Sequence, residues 1–250
     1  MEAILFALLA AFANILGGLI IFIKKDWSRR GLLGLMALSS GLLIALTVLD
    51  LLPEVVPSHP WSPAFILLGI LCIFFFQQFV ATHFHFGEEV HHTDHSNSTV
   101  IGAFGGMMIH TFFDGFSIVA SFEVSIKLGI TVMIAVLLHK IPDGLTISSI
   151  VFSSSKDKKK ALWSTLGLGM STIVGAFAAL LINQFSLPQE DITTLALSFS
   201  AGIFLYVAGT DLLPVVNASD DRPVASLFFL GIVLFFILQF IIKAIAPGLA

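Results

Sequence analysis

The chain predicts an all-α integral membrane protein with about eight transmembrane helices in a 3+2+3 arrangement, and three observations carry that prediction. Hydrophobic residues make up 57% of the 250 positions and charged residues only 11%, with a mean hydropathy of +1.00, far more apolar than a soluble domain. Hydropathy separates eight apolar runs, each long enough to cross a hydrocarbon core of ~30 Å as a helix. The runs toward the two ends of the chain also repeat one another over two or three helices, so that helices 1–3 and 6–8 are expected as inverted repeats around a central helix 4/5 pair.

In chain order the expected spans are roughly 3–23, 32–56, 62–84, 99–122, 126–152, 161–183, 192–216 and 224–245. Met1 and Glu2 lead straight into an apolar stretch reaching Ile23, with no basic n-region and no clear cleavage site. That stretch is expected to be retained as the first helix. The whole chain then reads as one polytopic domain, 1–250. It divides into a first three-helix repeat (1–84), a His-rich loop (85–98), a helix pair (99–152), a basic loop (153–160) and a second three-helix repeat (161–250).

Charge sets the orientation. Lys24, Lys25, Arg29 and Arg30 occupy the first loop and Lys156, Lys158, Lys159 and Lys160 the fifth, so the positive-inside rule makes both cytoplasmic. An even number of spans then puts both termini on the outer face, in what is expected to be the cell (inner) membrane. The net charge of −4 and the lack of a long basic run give no reason to expect a nucleic-acid partner. The single cysteine, Cys72, cannot form an intramolecular disulfide.

The repeat is explicit. Ser40-Gly41 precedes Asp50-Leu-Leu-Pro53 as Ala201-Gly202 precedes Asp211-Leu-Leu-Pro214, at the same spacing. Leu68-Gly69-Ile70 precedes Gln77 as Leu230-Gly231-Ile232 precedes Gln239. The first copy starts outside and the second inside, so the repeats are inverted, a construction common in secondary transporters with sites near the midplane.

Ionisable groups within a membrane are costly and therefore point to function. Here they are Asp50, Glu54, His110, Asp114, His139, Lys140, Asp143 and Asp211. Two adjacent spans carry the pattern His110-Thr-Phe-Phe-Asp114-Gly115 and His139-Lys-Ile-Pro-Asp143-Gly144. Residues four apart share a helix face, so each span aims an imidazole and a carboxylate in one direction. If the faces meet, four ligand groups converge. Imidazole with carboxylate suits Zn²⁺, Fe²⁺, Mn²⁺ and Co²⁺ rather than ions that want sulfur, and a divalent ion offsets the cost of burying two aspartates. Pro142 frees a carbonyl one turn earlier and bends its helix, while Gly115 and Gly144 permit close helix approach. A separate polar stretch, His83, His85, Glu88, Glu89, His91, His92, Asp94 and His95, reads as a cytoplasmic chelating loop.

At these motifs the sequence resembles the ZIP (Zrt/Irt-like) family of divalent metal transporters across essentially the whole chain. The resemblance implies eight helices in a three-plus-two-plus-three arrangement and a primary transport site formed by His110, Asp114, His139 and Asp143. Asp114 and Asp143 stand where family members usually have Glu. It further implies that Asp50 lies close to the site and joins the metal residues. Relatives with a second, adjacent metal supply an Asn, an acid and a Glu where this chain has Thr111, Lys140 and Thr172. The expectation is therefore one metal, with the Lys140 ammonium standing in for the second cation.

The expected path runs from an outer mouth at His59, Glu54 and Asp50, through the quartet, to Asp211 and the His-rich loop. The metal is cargo rather than cofactor, with Zn²⁺ first and Fe²⁺, Mn²⁺, Co²⁺ and Cd²⁺ as further candidates. The other expected partner is the lipid bilayer, and a homodimer stays open. Movement of the repeat helices against the helix 4/5 pair, eased by Gly41 and Gly202, is the expected transport motion, and a channel-like path is its rival. Two competing classes also stay open. An intramembrane metal-dependent hydrolase would use the same quartet with Ser117 or Thr111 as a nearby hydroxyl. A structural metal site would ordinarily call for Cys, and Cys72 offers no suitable ligand.

Overall fold

The computed structural model describes residues 2–23, 29–80, 97–182, 189–217 and 221–245. Among them there are eight long helical runs and no strand. α1 is Glu2–Ile23. α2 starts as Arg29–Leu46, widens into a π turn at Thr47–Leu51 and ends as Leu52–Ser58. α3 is Ser62–Phe75 continued by a π turn at Phe76–Val80. α4 is Asn97–Val124, α5 Ile126–Ser155 and α6 Lys158–Ile182. α7 runs Gln189–Tyr206, π turn Val207–Leu212, then Leu213–Asn217, and α8 is Arg222–Ile245. Seven of these are long and apolar enough to cross a membrane, and α1 carries a shorter apolar stretch, Ala3–Leu19.

The expected basic loop at 153–160 is mostly helical. α5 continues to Ser155, and α6 already begins at Lys158 because the Asp157 carboxylate accepts from the Lys159 amide at 2.8 Å, an N-cap that also offsets three lysines at a helix start. The His-rich stretch 83–95 lies outside the described residues.

Two of the π turns have a readable cause. A proline ring collides with the carbonyl four residues back and supplies no N–H, so the turn before Pro53 and the turn before Pro214 widen. Each widened turn contains an aspartate, Asp50 or Asp211. Ser40 Oγ donates at 2.9 Å to the carbonyl of Ala208, within the second π turn. Pro142 lies inside the uninterrupted α-helix of α5, where no turn widens, and the carbonyl four residues earlier, Leu138, accepts from Ser39 Oγ of α2 at 3.3 Å.

In space the helices sort into two groups, α1 with α4, α5 and α6, and α2 with α3, α7 and α8. Within the second group α2 pairs with α8 and α3 with α7, and the two pairs mirror each other residue by residue. Gly41 lies against the Phe228 carbonyl and Gly231 against that of Leu38, while Gly202 lies against the Ile66 carbonyl and Gly69 against that of Phe199. At one end Arg30 makes a two-point ion pair with Asp221, at 2.7 and 3.1 Å. The matching end of the other pair carries His59 and Asp191 at 3.9 Å, with the charges exchanged between helices.

The first group closes by the same device. Gly115 of α4 meets the Thr172 carbonyl of α6 and Gly175 the Phe112 carbonyl, while Gly144 of α5 meets the Asn14 carbonyl of α1 and Gly17 that of Ile141. Glycine is needed here because the neighbour is backbone and cannot yield to a Cβ. Gly41→Ala and Gly202→Ala are each expected to cost about 1–3 kcal/mol, the range for overpacking, read as a lower thermal midpoint in detergent. Gly209, with nothing within 4 Å of an added Cβ among the described residues, is the control. Equal effects at all three positions would refute the close-approach account.

Candidate metal centre

α4 and α5 are joined by a single extended residue, Ser125, whose side chain accepts from the Leu128 amide at 3.1 Å and starts α5 directly after α4. The tight connection makes the helices antiparallel neighbours, so the His-x₃-Asp faces meet. His110, Asp114, His139 and Asp143 are all buried and offer ligand atoms that lie within 4.8 Å of one another. The nitrogen-to-oxygen separations are 3.3 Å for His110–Asp114, 3.4 Å for His139–Asp114, 3.6 Å for His110–Asp143 and 4.0 Å for His139–Asp143. A tetrahedral ion with bonds of about 2.0–2.1 Å has ligand–ligand edges of about 3.3–3.4 Å. Of the six edges such an ion has, three of the four nitrogen–oxygen ones are within a few tenths of an ångström of that value, and His139–Asp143 is wider.

The imidazole of His139 is held for this task. Its Nδ1 lies 3.0 Å from the Ala135 carbonyl, and since a carbonyl only accepts, Nδ1 carries the hydrogen and Nε2 presents its lone pair to the cluster. His139 Nε2, Asp114 Oδ1 and Asp143 Oδ2 have no hydrogen-bond partner among the described residues. Buried polar atoms are normally satisfied, so these are groups arranged to receive something.

Lys140 points into the site. Its side chain is 0% exposed, and Nζ sits 2.5 Å from Asp114 Oδ2 and 3.8 Å from Asp143 Oδ2. With neutral imidazoles, two carboxylates and one ammonium leave a single formal negative charge, which a divalent ion turns into a single positive one.

The other expected residues are spread around this centre. Thr111 and Thr172 are buried, and each hydroxyl donates to a carbonyl on its own helix, Met108 at 3.1 Å and Leu168 at 3.2 Å. Asp50 is not part of the four-residue cluster. It is half-buried and accepts from Gln239, whose amide also reaches Thr131 of α5 at 3.4 Å. Thr131 precedes His139 by eight residues, about 12 Å of helix, which is why Asp50 does not join the quartet. Glu54 is exposed near the end of α2, and His59 faces Asp191. Asp211 is buried and accepts from Gln77 at 2.8 Å.

Sequence reasoning missed Asn14. It is fully buried in α1, and neither its side-chain nitrogen nor its oxygen has a hydrogen-bond partner among the described residues. In the α1/α5 contact it occupies the position that Thr172 holds in the matching α4/α6 contact. An amide inside an otherwise apolar first span was the available signal.

Fold and cluster together define a polytopic integral membrane protein with transition-metal ligand groups gathered inside it. The chain belongs to the ZIP zinc transporter family, whose pattern matches residues 87–243. Among similar proteins are the zinc transporter ZIP4 of Rattus norvegicus, 31% identical over 119 residues, and the zinc transporter zipt-7.2 of Caenorhabditis elegans, 32% identical over 126 residues. The zinc transporter foi of Drosophila melanogaster is 28% identical over 130 residues. These alignments cover 47%, 48% and 50% of this chain but only 18%, 26% and 18% of the three relatives.

Proposed function

We propose that this protein carries a divalent transition metal, Zn²⁺ first, across the membrane toward the face that bears the basic loops, through one site formed by His110, Asp114, His139 and Asp143. The observation that carries this reading is the buried quartet itself, with three nitrogen–oxygen edges close to those of a tetrahedral ion. His59, Glu54 and Asp50 form the outer approach, Asp211 the inner exit, and the His-rich loop a receiver for the metal. Lys140 holds the place of a second cation, so one ion occupies the site.

Transport is favoured over hydrolysis by the state of the nearby hydroxyls. Ser117 donates to the Phe113 carbonyl at 2.6 Å and Thr111 to that of Met108, so neither is set against a base as a nucleophile would be. The mirrored helix pairs also suit two related approaches to a central site, which a carrier needs and a hydrolase does not.

Reconstituted protein in liposomes is expected to take up Zn²⁺ with saturation, and parallel assays with Fe²⁺, Mn²⁺ and Cd²⁺ rank the cargo. Metal counting on purified protein is expected to give one tightly bound ion per chain. Two ions lost together on His110→Ala would sink the single-ion site, and flux that stays linear to high metal concentration would count against a carrier.

A further inference from the structure

The mirror relation extends to two hydrogen bonds that the quartet does not use. Gln239 of α8 donates its amide to Asp50 of α2, and Gln77 of α3 donates to Asp211 of α7 at 2.8 Å. Both aspartates lie in π turns ahead of a proline, and the two glutamines occupy matching positions of the repeat. A carboxylate on an ion's route needs a partner while no ion is there. An amide N–H is such a partner, and an arriving cation displaces it. The same amide, turned over, presents a carbonyl oxygen of the kind divalent ions accept.

The two arrangements differ in one respect. Tyr206 OH donates to Gln77 Oε1 at 2.9 Å, so the Gln77 amide is gripped at both ends. The position matching Tyr206 in the first repeat is Ala45, which has nothing to donate. Burial follows the same asymmetry. Gln77 and Asp211 are 2% and 1% exposed, whereas Asp50 and Gln239 are only half-buried.

We propose that Gln77 and Gln239 are displaceable amide caps on the two aspartates flanking the metal site, and that Tyr206 locks the Gln77 cap and makes the Asp211 side the slower of the two passages. This rests on the transport reading above. Two passages in series are limited by the slower one. Easing the locked cap therefore raises the saturating rate, whereas easing the unlocked cap alters how readily metal enters from dilute solution.

The test is Zn²⁺ uptake into liposomes by the full chain. Tyr206→Phe, which removes one hydroxyl, is expected to raise the saturating rate about fivefold, the equivalent of one hydrogen bond, with the half-saturating Zn²⁺ concentration unchanged. It is expected to add nothing in a Gln77→Leu background, because the tyrosine acts through the amide. Gln239→Leu is expected to move the half-saturating concentration and leave the saturating rate alone. An unchanged rate in Tyr206→Phe, or the same gain with and without Gln77, overturns the caps when wild-type uptake depends on His110. Wild-type liposomes no more permeable to Zn²⁺ than protein-free ones overturn the transport reading, and the caps with it.

Discussion

His110→Ala and Asp143→Ala are each expected to abolish saturable Zn²⁺ uptake and to weaken Zn²⁺ binding by about two orders of magnitude. Apparent binding energies of roughly 10–16 kcal/mol for four-ligand zinc sites come to about 3 kcal/mol per ligand, which is about a hundredfold in Kd. The two residues stand on different helices and share the 3.6 Å edge of the cluster, so equal losses at both place the ion between α4 and α5. Asp50→Ala is expected to do much less to binding, since Asp50 is outside the cluster and held by Gln239. Isothermal titration with Zn²⁺ reads binding and liposome uptake reads flux. Full Zn²⁺ affinity in His110→Ala would move the ion elsewhere and end the quartet reading.

The quartet was legible because its signal is local. A His and an Asp four residues apart on one helix, twice, in adjacent spans, need only helix periodicity and a short connection to converge, and Ser125 supplies that connection. The helix ends were legible for a similar reason, since apolar runs bounded by charge or proline mark them to within about three residues wherever the structure describes them. The carbonyl released by Pro142 was readable too, though its acceptance from Ser39 was not. What stayed hidden is the partnership of helices distant in sequence. α2 packs beside α8 and α3 beside α7 through glycines set against backbone carbonyls, and a glycine in an apolar span does not say which helix it faces. The repeat aligned Gln77 with Gln239 and Asp50 with Asp211, but it took the structure to pair each glutamine with the aspartate of the other repeat. Asn14 escaped because a single neutral amide breaks no hydropathy pattern.

Lys140→Met is expected to destabilise the metal-free protein by about 3–5 kcal/mol and to bind Zn²⁺ at least about tenfold more tightly. The ammonium is fully buried between two buried carboxylates, and removing one partner of such a pair leaves charge stranded in a medium that solvates it poorly. Methionine keeps the length and apolar bulk of the stem, so the loss is electrostatic. Without the lysine the site carries two formal negative charges, and a divalent ion then cancels them completely. Unit charges about 4 Å apart interact by about 4 kcal/mol at an effective dielectric of 20. Competition from protons on the aspartates reduces that gain, and tenfold is the part expected to survive. The same tightening slows release, because a carrier must hold its ion weakly enough to let it go, so uptake is expected to fall even as affinity rises. Thermal unfolding with and without Zn²⁺ separates these effects: the shift produced by Zn²⁺ should be larger in Lys140→Met than in wild type, and the two proteins should approach each other when saturated. Equal Zn²⁺ shifts in the two would mean that the ammonium does not act as a resident cation, and the single-ion account of the site would lose its basis.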